Sequence, residues 1–356
     1  MPAAITNFAD ITVTLTGAAA DKFSFGTLLG VFDHAVSANR QEGPFTSLAE
    51  VVAAGFTAAA EAEVNAWASA VFSQDDGVDQ IIIGHEDGGD ASVTATMDAI
   101  EADDPTSWYC TNYETRVEAD ILLLGAWHET RDKICIAQSS DAAILAGTPG
   151  NVALDLQAAS YNRTSLIYHP TDDGLSPNGY LDGAWSSSGG GLNLDAPNGV
   201  GVWAYRALEA VVFAPVTSAQ ATEIYDANAN LFGRNKGLSF TSKGTMASGR
   251  FIDVATSIDW IKMRIEEAVI AAFVGAPTKI PFTNAGINII AAAVQGVFDQ
   301  GVNFGHLSPD APQTLEVPLV SEVSAADKAA RVLTFTANNV LAGGIQKLVL
   351  TINVQQ

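Results

Sequence analysis

The chain has 356 residues, 48% of them hydrophobic, which is enough for a sizeable core and for more than one domain. Forty acidic residues stand against 17 basic ones, a formal net charge of −23, which argues against the basic face of a nucleic-acid binder. No apolar run reaches the roughly 18 residues of a membrane span, and no Lys or Arg precedes Lys22, so neither a membrane partner nor the basic start of a signal peptide is expected. Cys110 and Cys135 lie outside any C-x-x-C pair and read as reduced core residues.

Residues 1–20 read as an extended arm. Ile11, Val13 and Leu15 alternate with Thr12, Thr14 and Thr16, the period of a strand, until GAAAD breaks it. From 23 to about 140, strands and helices take turns. FSFGTLLGVFDH (23–34), VDQIIIGHE (78–86), WYCTNY and KICIAQS (133–139) read as strands. SLAEVVAAG (47–55), residues 57–72, TATMDAIEAD and EADILLLGAWHE (118–129) read as helices, the first capped by Ser47 and stopped by Gly55. This alternation predicts an α/β layer with a mostly parallel sheet, and an α+β character overall once the C-terminal part is included.

Residues 140–235 are less regular. SLIYHP (165–170) reads as a strand, TDDGLSPNGYLDG and SSSGGGLNLDAPNG as turn-rich, inserted loops, and VGVWAYRALEAVVF mixes both periods. LSFTSK and MASGRFIDV then read as strands leading into a helix from about Thr256 to Val274, with Ile258, Ile261, Ile265, Val269, Ala272 and Phe273 along its apolar face. A second helix at about 283–303 has Thr283 as N-cap, Ile287, Ile290, Ala291, Val294, Val297, Phe298 and Gly301 at i, i+3, i+4 spacing, and Gly305 to close it. TLEVPLV (314–320) is a short strand, and Ser324 with Asp327 starts a helix at SAADKAAR. The closing IQKLVLTINV alternates Leu348, Leu350, Ile352 and Val354 with Lys347, Val349, Thr351 and Asn353.

The charge is unevenly spread. Residues 1–115 hold 18 acids and two bases, residues 116–229 hold 13 acids and five bases, and residues 230–356 hold nine acids and ten bases. Either two domains simply have different surfaces, or the C-terminal part faces an acidic partner.

Catalytic layouts do not emerge. There is no G-x-S-x-G elbow, no phosphate-binding glycine loop, and the five histidines (His34, His85, His128, His169, His306) form no H-x-x-x-H pair. GHEDGGD (84–90) and TDDGLSPNGYLDG (171–183) could offer oxygens to Ca²⁺, but neither has EF-hand spacing, and solvated acidic loops are the simpler account. No catalytic residue, cofactor or metal is therefore assigned. Glu266 lies one turn after Lys262 on the long helix, a weak surface pair.

The C-terminal third resembles the tail sheath family of contractile-tailed bacteriophages. The resemblance rests on GRFIDVATSIDWIKMRIEEAV (249–269), on KIPFTNAGINIIAAAVQGVFDQGVNFGHL (279–307) and on LEVPLVSEVSAADKAARVLTFTANNVLAGGIQKLVLTINV (315–354), with weaker similarity in FSFGTLLGVFDH, SLAEV and IIIGHED. It implies an N-terminal arm (1–20), an outer α/β domain (21–235) with a variable insertion at about 140–235, an inner C-terminal mixed α/β sheath domain (236–340) and a C-terminal β-arm (341–356). It further implies a subunit that polymerises with itself around a tail tube protein, meets baseplate and terminator proteins, and contracts to drive the tube through the host envelope. Assembly in the host cytoplasm and residence in the virion follow from the same resemblance.

Both chain ends read as strands, and a lone strand leaves its backbone groups without partners. Donated to a neighbouring sheet edge, they would augment it; paired within the same chain, they would not. The residues expected to form intersubunit strands are Ile11, Val13 and Leu15 at one end and Lys347, Leu348, Leu350, Ile352 and Val354 at the other. Lys262 and Arg264 are candidates to face the tube, or else solvated. Two other classes remain open: a soluble α/β enzyme of unrecognised mechanism, and another self-assembling virion subunit.

Overall fold

A computed structural model describes residues 24–170 and 180–346. The expected arm strands at 11–16 and 347–354 lie outside these residues, as does most of the acidic stretch that begins at Thr171. In chain order the elements are β1 (Thr27–Phe32), β2 (Gln41–Phe45), α1 (Leu48–Ala53), α2 (Ala62–Phe72), β3 (Gln80–His85), α3 (Val93–Asp103), β4 (Cys110–Tyr113), α4 (Glu118–Glu129), β5 (Ile134–Ser139), α5 (Ala142–Leu145), α6 (Val152–Ala159) and β6 (Thr164–Tyr168). There follow α7 (Leu181–Gly190), α8 (Ser218–Asp226), β7 (Asn230–Asn235), β8 (Leu238–Thr241), α9 (Ile252–Gly275), α10 (Asn284–Phe304), β9 (Thr314–Glu316), α11 (Ala325–Ala330) and β10 (Thr336–Asn338).

The chain divides into two compact units. Of the described residues, the larger comprises 24–170, 180–261, 301–311 and 340–346, and the smaller holds 262–300 and 312–339. The α/β expectation is met in the larger unit by an eight-stranded sheet in the order β2-β3-β1-β4-β5-β6-β7-β8. Strands β3, β1, β4, β5, β6 and β7 run parallel, while β2 and β8 are antiparallel at the two edges. The central strands are buried along their whole length, which is why they read as continuous apolar runs. Leu29, Val31 and Ile82 pack with Met97, Ile100, Trp108, Leu124 and Trp127 on one face. Farther along, Cys135, Leu166 and Leu231 pack with Ile121, Leu156 and Ile224.

Several elements differ from expectation. The glycine- and serine-rich text after 180 is not a loop: Leu181–Gly190 forms α7, and every residue from Leu181 to Gly189 is buried. The small residues at its contact positions are the reason it fits. A Cβ on Gly183 would lie 2.7 Å from the Trp67 ring, and one on Gly189 would lie 2.4 Å from the Trp203 ring. Ser187 donates to the Val71 carbonyl at 2.7 Å, and Ser186 accepts from Asn112 at 3.0 Å, so the hydroxyls join α7 to α2 and to β4. Helices α5, α6 and α8 were not anticipated, although each carries a side-chain N-cap (Asp141, Asn151 and Thr217).

Helix α9 begins at Ile252, four residues before the expected Thr256, and MASGRFIDV contributes only an isolated bridge between Thr245 and Phe251. Its buried face in the larger unit is Ile252, Ala255, Thr256, Asp259 and Trp260, whereas the expected apolar face leaves Ile258 at 41% and Phe273 at 58% exposure. The pattern misled because this helix buries a carboxylate. Asp259 accepts from Arg163 at 2.7 and 2.8 Å and from the Tyr109 hydroxyl at 2.7 Å, so its charge is compensated where it lies.

Candidate assembly surfaces

In an open parallel sheet, ligands enter at the carboxyl ends of strands where the winding reverses, here between β1 and β4. That edge is crowded with acids. The Asp33 amide donates to Glu114 Oε2 at 3.2 Å, and burial together with the neighbouring Glu63 carboxyl pushes Glu114 up to about 8. Beside it the His34 and His85 rings stack at 4.5 Å, and burial and the second ring push His34 below its ordinary range. Arg116 pairs with buried Asp182 at 3.1 Å, and Arg40 holds Asp90 at 2.6 and 2.8 Å. The Asp90 carboxylate of the GHEDGGD stretch is thus already taken by a cation of the same chain. Burial lifts the Cys110 thiol to about 12 and the Cys135 thiol higher still, which leaves both protonated and unreactive at neutral pH.

The smaller unit presents two features suited to a partner. The first is a two-stranded antiparallel sheet, Thr314–Glu316 against Thr336–Asn338, with three registered pairs. Strands so short are marginal alone, and among the described residues neither has a second neighbour, so each outer edge offers backbone groups to an incoming strand. The second is a groove of about 490 Å³. Phe282, Ile287 and Ile290 supply apolar lining, and Lys279, Lys328 and Arg331 supply charge. No acidic residue lines it, and among the described residues none of these three cations forms an ion pair. Its shape depends on Gly286 in the first turn of α10, where a Cβ would fall 1.9 Å from the Pro281 carbonyl oxygen. Thr283 caps the same turn by accepting from the Gly286 amide at 3.3 Å.

Of the residues singled out from sequence, Ile11, Val13, Leu15, Lys347, Leu348, Leu350, Ile352 and Val354 lie outside the described structure. Lys262 is exposed. Arg264 is buried at 5% exposure, and its guanidinium donates to both oxygens of Glu267 at 2.7 and 2.8 Å, so its charge is engaged within the chain. Sequence reasoning did not single out the groove cations. Lys279 is about 50 residues from Lys328 and Arg331, and only the fold brings them to one place.

Compared with solved structures, the chain has the architecture of contractile injection-system subunits. It matches a chain in the cryo-EM structure of the anti-feeding prophage (AFP) baseplate, 6-fold symmetrised, with a TM-score of 0.66 and 12% identity over 100% of both chains. It matches the AFP helical sheath in its contracted state with a TM-score of 0.63 and 12% identity, over 99% of each chain. It matches the contracted PVC sheath complex of an extracellular contractile injection system with a TM-score of 0.67 and 11% identity, over 99% of this chain and 98% of that one. No curated protein sequence matches.

The fold class is therefore that of sheath subunits, an α/β layer joined to a helix-rich C-terminal part. More particularly, residues 252–329 match the family model described as E217 tail sheath protein gp31-like, C-terminal domain. The resemblance to tail sheath proteins read from the sequence is shown by this segment, which takes in α9, α10 and most of α11.

Proposed function

We propose that this chain is the structural subunit of a contractile bacteriophage tail sheath, and that it works by assembly and not by catalysis. The observation that carries the reading is a coincidence of two independent likenesses. One is a fold shared end to end with contracted sheath subunits; the other is a tail-sheath C-terminal domain at residues 252–329. In this reading the subunit polymerises with itself around a tail tube protein and joins baseplate and terminator proteins at the ends of the polymer. It is assembled in the host cytoplasm and carried in the virion. Contraction then drives the tube through the host envelope.

In this reading residues 236–340 form the inner part and residues 21–235 the outer part. The terminal strands 11–16 and 347–354 pair with the free edges of β9 and β10 in neighbouring copies. Ladder bonds are worth about 1 kcal/mol each, so a short strand supplies a few kcal/mol per link, and several links per subunit are needed to survive contraction. Asp90, Asp182 and Asp259 are each held by an arginine, which fits a structural role for these three carboxylates.

Purified protein, alone or with tube protein, is expected to form rings or hollow cylinders in negative-stain electron microscopy. A monodisperse monomer at high concentration would overturn the reading. Deletion of residues 345–356 is expected to leave a folded chain that no longer polymerises. If the truncated chain assembled like the full one, the strand-donation part would be wrong.

A further inference from the structure

The groove of the smaller unit is matched by charge to the rest of its own chain. Three cations, Lys279, Lys328 and Arg331, border a groove in which Phe273 is 58% exposed and Ile287 and Ile290 form a buried apolar floor, with no acid among the lining residues. Residues 262–300 and 312–339 are nearly neutral, with five bases and six acids. Residues 23–261 hold 31 acids against ten bases. Almost all the negative charge of the chain therefore sits in the larger unit, and the smaller unit gathers three cations around a groove that no acid lines. Opposite potentials on two patches steer association and fix register, and like charges placed together oppose it. An apolar surface inside a ring of cations also has the form of an interface: a dry centre with a charged rim.

We propose that this cation-rimmed groove is a docking surface for the acidic larger unit of a second copy of the chain. The proposal rests on the sheath reading, since it assigns one of the contacts by which copies would stack. It differs from strand donation in kind and in place. The contact uses side chains on α10, α11 and the 279–282 segment, and its occupant is a folded acidic face. The terminal strand 347–354 is a poor fit to the groove, because its one charged residue is Lys347.

The test uses the full chain in two forms. In the first, p-benzoylphenylalanine replaces Phe282, and mixtures of isotopically light and heavy copies are irradiated after assembly. Cross-links between copies that map to residues 24–261 are expected. Cross-links to a terminal segment or to tube protein, or none between copies, would overturn the proposal. In the second, K279E/K328E/R331E is compared with wild type by sedimentation of assembled material. Reversal of three charges is expected to lower the assembled fraction at least about tenfold, because like-charge juxtaposition costs several kcal/mol. Unchanged far-UV circular dichroism would show that the helices of the smaller unit are intact. If wild type itself forms no assembly, the sheath reading fails and the groove contact with it. If wild type assembles and the reversed variant assembles equally well, only the groove contact fails.

Discussion

Asp259 offers the sharpest test of how the larger unit is held together. It is 1% exposed and accepts three hydrogen bonds, two from Arg163 and one from the Tyr109 hydroxyl, so it ties the start of α9 to the segments that enter β4 and β6. Replacing it with alanine leaves a half-buried guanidinium and a buried hydroxyl without their main acceptor. Breaking a buried pair from one side costs about 3–5 kcal/mol, and the low end applies because Arg163 keeps Asp132 at 3.2 Å. A loss of about 3 kcal/mol moves the folding equilibrium about a hundredfold. All six tryptophans lie between Trp67 and Trp260, so intrinsic fluorescence follows the larger unit. Urea unfolding under non-assembling conditions should therefore show a lower midpoint with an unchanged slope. Tyr109→Phe alone should cost about 1 kcal/mol, and the double variant should cost less than the two single variants added together, because both remove the same bond. A loss below about 1 kcal/mol for Asp259→Ala, or strict additivity in the double variant, would refute this account of the helix anchor.

Three further outcomes are expected. Burial pushes His128 down to about 3, while an unfolded histidine titrates near ~6.5, so the unfolded chain binds more protons between these values. Its stabilising contribution is full above about pH 6.5 and is lost as the pH falls toward about 3, by at most about 5 kcal/mol; a His128→Leu variant should flatten that limb of the urea-midpoint profile, and an unchanged limb would refute the assignment. Gly183→Ala should destabilise by about 1–3 kcal/mol through overpacking against Trp67, seen as a lower thermal midpoint, and a neutral result would mean that α7 can shift. Cys110 and Cys135 should resist a thiol reagent in the folded chain and react only in denaturant, since both are buried and their thiols are pushed up; rapid labelling of the native protein would contradict this.

What the sequence made legible follows from what each segment buries. The central strands announce themselves because both faces of a parallel sheet are covered, and Ile81, Ile82 and Ile83 are all buried in β3. Helix α4 matches its sequence reading end to end, Glu118 to Glu129, and Ser47 caps α1 as its position suggests. Helix α7 escaped because its interior place depends on small residues, and the same glycines and serines mark loops when nothing large packs over them. Helix α9 was found but turned the wrong way, since hydrophobic periodicity cannot know that Asp259 meets an arginine 96 residues away in sequence. The groove cations were invisible for a related reason. A charged cluster built from Lys279, ahead of α10, and from Lys328 and Arg331 at the end of α11 exists only after the chain has folded.

The charge asymmetry was legible as a number and became meaningful only with the division into units. Read along the chain, the balance turns from acidic to neutral near residue 230. In the structure the change falls later, because β7, β8 and the first ten residues of α9 belong to the larger unit. Arg234, Lys236, Lys243 and Arg250 therefore lie on the acidic side of the division and leave it acidic. What remains in the smaller unit is close to neutral, so its unusual feature is the placement of charge and not its sum. Arg264 is satisfied by Glu267 within one helix turn, whereas Lys279, Lys328 and Arg331 are gathered around an apolar groove with no acid of their own. In the proposed sheath, contacts between identical copies would have to reject the wrong register, and the separation of charge would supply that: the cation-rimmed groove on an acidic larger unit attracts, and larger unit on larger unit repels.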